Sequence, residues 1–65
     1  MKNKISEIRK AQKLTQPQLA ALLNLSNYQS IQAIELGRNI PSVEFALRLA
    51  KALNTTVEEL FQLDD

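Results

Sequence analysis

Apolar residues recur three and four positions apart along most of this chain, and polar or turn-forming residues interrupt them at short intervals, which predicts a succession of short amphipathic helices. A first helix, about residues 2–13, turns Ile5, Ile8 and Leu14 toward a core. A second, about 16–23, carries Leu19, Leu22 and Leu23, with Ala20 and Ala21 small enough for another helix to come close. A third, about 27–36, is apolar along Ile31 and Ile34. A fourth, about 42–53, has Val43, Ala46, Leu47, Ala50 and Leu53 at helical spacing, a stripe that Phe45 and Leu49 widen. A fifth opens at Thr56 and closes the core with Val57, Leu60 and Phe61. The expected fold is all-α, a compact five-helix bundle in a single domain.

The boundaries have their own chemistry. The Thr15 hydroxyl can accept from a free N–H of the next turn while Gln18 reaches back to the cap, the capping-box pattern. Pro17 falls in that first turn, where a missing N–H costs nothing. Thr56 with Glu59 repeats the spacing, as does Ser26 with Gln29, although Asn27 is an equally good cap there. Asn24, Gly37 and Asn54 stand where helices stop, and such residues tolerate the left-handed backbone used for that purpose.

Residues 15–36 therefore read as two short helices joined by a tight polar turn, a helix-turn-helix. The second of them leaves Asn27, Tyr28, Gln29, Ser30, Gln32 and Ala33 on or near faces that the Ile31 and Ile34 stripe does not use. A helix that needed only solubility would more usually carry Lys and Glu there. Side chains that both donate and accept hydrogen bonds suit the edges of bases in a major groove, which admits one helix.

The segments IRKAQKLTQPQLAALLNLS, IQAIELGRNIPS and ALRLAKALNTTVEELF resemble the phage-repressor and Cro-like helix-turn-helix proteins, the XRE family. Leu14-Thr15-Gln16, Ile34-Glu35 before Gly37, the Pro41-Ser42 step and the stretch from Thr56 to Phe61 carry the likeness, which covers about residues 5–61. Two departures stand out. Asn24 replaces the family's usual turn glycine, and alignment requires an extra residue between Ser26 and Ile31, at Asn27 or Tyr28. That residue either lengthens the turn or rotates the start of the third helix by about 100°.

The resemblance implies double-stranded DNA as partner and assigns roles. Gln29, Ser30, Tyr28, Asn27, Gln32 and Ala33 map to groove-facing positions, with Gln29 first because a side-chain amide can bond adenine in bidentate fashion. Ser30 is placed to reach a base or a phosphate. Tyr28 has competing readings, as a phosphate or thymine-methyl contact and as a packing residue. Gln16, Arg38 and Asn39 map to backbone-contacting positions, and Lys10 and Lys13 add cationic attraction. The free N–H groups opening the second helix are a further anion site. Arg9 and Glu35 match the family's ion pair, expected to be structural. Phe61 and Leu63 are candidates for a homodimer interface, with cover of their own core as the alternative.

Composition narrows the picture. With 65 residues, no Cys and no His, disulfides are excluded, the usual zinc ligands are missing, and an apolar content of 45% must supply the core. No apolar run reaches the roughly 20 residues of a membrane span, and Met1 to Lys4 leads into an amphipathic helix in place of a signal-peptide core, so a soluble cytoplasmic protein is expected. Net charge is only +1, but eight Lys and Arg face three acids before residue 57, and Glu58, Glu59, Asp64 and Asp65 follow. A basic body with an acidic end is a plausible footprint for DNA.

The leading expectation is a sequence-specific DNA-binding transcriptional regulator, acting as a homodimeric repressor on a palindromic operator, with no cofactor and no small-molecule effector. The competing class is an interaction module such as an antitoxin, using the acidic, apolar C-terminal segment. An enzyme is disfavoured, because scattered carboxylates and hydroxyls form no recognisable catalytic set.

Overall fold

The computed structural model describes residues 1–64; Asp65, one of the four acids of the acidic end, lies outside them. Five helices and a two-stranded antiparallel sheet follow in the order β1 (Lys2–Asn3), α1 (Ile5–Ala11), α2 (Gln16–Leu22), α3 (Gln29–Glu35), α4 (Val43–Ala52), α5 (Val57–Leu60) and β2 (Phe61–Gln62). Helices α1 to α3 have seven residues each and α4 has ten. All are shorter than the roughly 12–15 residues a lone helix needs in water, so packing must hold them.

Every helix or its cap delivers a fully buried aliphatic side chain to one core: Ile5, Leu19, Ile31, Leu49, Leu53 and Leu60. Ala20, Ala46 and Ala50 are buried as well. The apolar stripe of α4 differs from the expected one. Val43 and Leu47 are exposed, and Ala46, Leu49, Ala50 and Leu53 face inward with Phe45 packed at their edge. Leu22 is exposed too, because α2 turns Leu19, Ala20 and the cap residue Leu23 to the core.

Four helices stop in the same way. A pair of reverse bonds closes each: Lys13 and Leu14 N–H to the Lys10 and Arg9 carbonyls, Asn24 and Leu25 to Ala21 and Ala20, Gly37 and Arg38 to Ile34 and Ala33, and Asn54 and Thr55 to Lys51 and Ala50. This is the Schellman arrangement, which requires a left-handed residue just past the cap. Lys13, Asn24, Gly37 and Asn54 occupy it with φ of 60°, 58°, 77° and 56°. At the helix starts, Thr15 and Gln18 form both halves of a capping box. Thr56 forms only half of one, since the Glu59 carboxylate accepts from the Thr55 hydroxyl instead.

The ends of the chain depart from the helical expectation. Lys2 pairs with Gln62 and Asn3 with Phe61, so α1 begins at Ile5 and not near residue 2. A two-residue strand has no period to detect. The Met1 ammonium lies 2.7 Å from Asp64, and that bond holds the Asp64 carboxyl below the ordinary carboxylate range.

Candidate nucleic-acid interface

Helix α3 sits with Ile31 and Ile34 buried, Gln29, Ser30 and Gln32 exposed and Ala33 half-buried. Residues 23–28 separate it from α2. The expected start at Asn27 is therefore corrected: Asn27 and Tyr28 precede the helix. Asn27 makes a local Asx turn before the helix, its Oδ1 accepting from the Gln29 N–H at 3.0 Å, and no Ser26 box forms. Tyr28, about two-fifths exposed, lines an open groove with Lys10, Lys13 and Gln16. A second groove runs along the Ser30 and Ile34 edge of α3 and is lined by Arg38, Asn39 and Ser42.

The far end of α3 is fixed. Arg9 Nε donates to Glu35 Oε2 at 2.8 Å and Nη2 to Oε1 at 3.3 Å, while Nη1 donates to the Leu14 carbonyl at 2.8 Å. The side chains of this pair are only 9% and 8% exposed. Gln16 Nε2 donates to Glu35 Oε1 at 2.9 Å, so the residue that opens α2 also braces α3. An ion pair out of water persists when its remaining donors and acceptors are satisfied, and the described residues leave no buried side-chain polar atom without a partner.

Two anchoring residues had no signal in the sequence. Asn3 Nδ2 donates to the Ile34 carbonyl at 3.0 Å, and Gln12 Nε2 to the Leu53 carbonyl at 2.6 Å. Their partners lie 31 and 41 positions away, beyond the reach of helical periodicity. Phe61 and Leu63 separate: Phe61 is half-buried against the core, whereas Leu63 is 76% exposed. Phe61 also lines an apolar groove between α4 and α5 with Val43, Leu47 and Val57. No helix of the described residues is long and apolar enough to cross a membrane.

The arrangement is a short helix with a polar, uncharged outer face and cationic side chains in the adjoining grooves. It can place amide and hydroxyl groups in a major groove while Lys and Arg approach the phosphates. The helix-turn-helix family model matches residues 5–60. Over the whole chain, an uncharacterized HTH-type transcriptional regulator of Methanocaldococcus jannaschii is 40% identical, with 97% of its own length covered. Similar regulators include one from Methanothermobacter thermautotrophicus, 41% identical with 94% of its length covered, and YgzD of Bacillus subtilis, 34% identical with 97% covered. The chain belongs to the XRE-type helix-turn-helix family of DNA-binding transcriptional regulators.

Proposed function

We propose that this chain is a non-catalytic repressor that binds a palindromic operator as a homodimer, placing α3 of each copy in successive major grooves. The observation that supports it most is the outer face of α3, where Gln29, Ser30 and Gln32 are exposed and uncharged beside grooves carrying Lys10, Lys13 and Arg38. Gln29 reads an adenine edge, Ser30 and Gln32 read neighbouring positions, and Ala33 offers a small apolar surface to a thymine methyl. Tyr28, Lys10, Lys13, Arg38 and Asn39 set the helix against the sugar-phosphate strands. Asn27 acts through its bond to the Gln29 N–H, and Gln16 through Glu35 as well as at the backbone. Repression follows from occupying a promoter, with no effector required.

The homodimer rests on apolar side chains that the core does not use. Val43 and Leu47 are exposed beside Phe61 in the α4–α5 groove, and Leu63 is exposed beyond it. Sedimentation velocity tests this part. The wild-type chain should sediment as a dimer, and Leu47→Glu should sediment as a monomer with its helical circular dichroism intact. A wild-type monomer at concentrations that saturate the operator would remove the homodimer.

A further inference from the structure

We propose that Asn3 is a positioning residue for sequence reading, tying the aim of α3 to the strand pair; this rests on α3 being the base-contacting helix. Its side-chain amide joins three elements. Nδ2 donates to the Ile34 carbonyl at 3.0 Å and lies 3.5 Å from the Glu35 carbonyl, in the last turn of α3; the Ile34 carbonyl also accepts from the Gly37 N–H, so Asn3 adds a second donor there. Oδ1 accepts from the Ile5 N–H at 3.2 Å, and so serves the start of α1, whose cap residue Lys4 makes no side-chain bond. The backbone of Asn3 is held opposite Phe61, and the next N–H, that of Lys4, donates to the Leu60 carbonyl at 2.8 Å.

This grip governs direction. Buried Ile31 and Ile34 seat α3 against the core, and the Glu35 carboxylate, held by Arg9 and Gln16, fixes one side of its last turn. Asn3 supplies a second point on the carbonyl end. Gln29 lies about 9 Å from Glu35 at about 1.5 Å of rise per residue, so a tilt of about 6° displaces it by about 1 Å. Bidentate recognition tolerates displacements of only about 0.5 Å, whereas a flexible Lys or Arg follows a phosphate over that distance. Asn3 therefore controls discrimination more than general affinity.

The test uses Asn3→Asp, which keeps the acceptor for Ile5 and replaces the donor with an oxygen facing two carbonyls. Fluorescence anisotropy compares a duplex enriched from a random library with a scrambled duplex, at a temperature where circular dichroism shows the variant folded. Affinity for the enriched duplex should fall about tenfold, and for the scrambled duplex by less than about twofold, so their ratio collapses. Equal losses on both duplexes, or no loss on either, overturn the proposal. Asn3→Ser also keeps an acceptor and loses the donor's reach, and the same ratio decides if the Asp variant does not fold. A wild-type chain that prefers no duplex overturns the base-reading assignment itself, which distinguishes that failure from failure of the Asn3 grip.

Discussion

At its C-terminal end α3 is gripped by side chains from three other segments, Arg9 of α1, Gln16 at the start of α2 and Asn3 of β1. At its N-terminal end, among the described residues, the side-chain bond is local, from the Gln29 N–H to Asn27 Oδ1. The two ends of one short helix thus divide the work. The buried, charged end holds position; the open, uncharged end presents donors and acceptors. Burial makes the first intolerant of change, and exposure makes the second cheap to alter in stability.

The largest effect expected from breaking this division is at Glu35. Glu35→Ala leaves the buried Arg9 guanidinium without its carboxylate and should cost about 3 kcal/mol or more. In a domain of this size that lowers the thermal midpoint by over about 10 °C, measurable by circular dichroism. A midpoint that held while DNA affinity fell would show the pair serving DNA contact and not the fold. At the other end, Gln29→Ala should leave the midpoint within about 0.5 kcal/mol of the wild type. Its affinity for the cognate duplex should fall by about 1–3 kcal/mol, with little change on random DNA. Arg38→Ala sharpens the contrast: both affinities should fall together, and the slope of log affinity against log salt should drop by about 1. The smallest effect is at the helix stop that follows α1. Lys13 holds a left-handed backbone at φ 60°, and Lys13→Gly should raise stability by roughly 0.5–1 kcal/mol in chemical denaturation.

The same division explains what the sequence could disclose. Local chemistry was legible: the Thr15–Gln18 box, the stops at Asn24, Gly37 and Asn54, and the Ile31 and Ile34 stripe all depend on residues within a turn or so of one another. The choice of inward face on α4 was not, because Val43 and Leu47 fit the helical period as well as Leu49 does. Tertiary packing makes that selection. The strand pair was illegible for a different reason, since Lys2–Asn3 and Phe61–Gln62 are too short to show alternation. Lys13 gave no warning of its left-handed backbone, a conformation that Gly and Asn announce and Lys does not. At the candidate site, the family resemblance put Arg9 opposite Glu35, and the geometry brings them to 2.8 Å. Asn3 escaped notice because a bond across 31 positions leaves no periodic trace.

The most direct test of the central claim, that the open end of α3 reads bases, is selection of bound sequences from a random duplex library at two salt concentrations. An enriched palindrome with half-sites about 10 bp apart should emerge and survive the higher salt, since base contacts release no counterions. Weak binding that enriches no motif and vanishes at moderate salt would contradict it, leaving the polar face of α3 without a sequence to read.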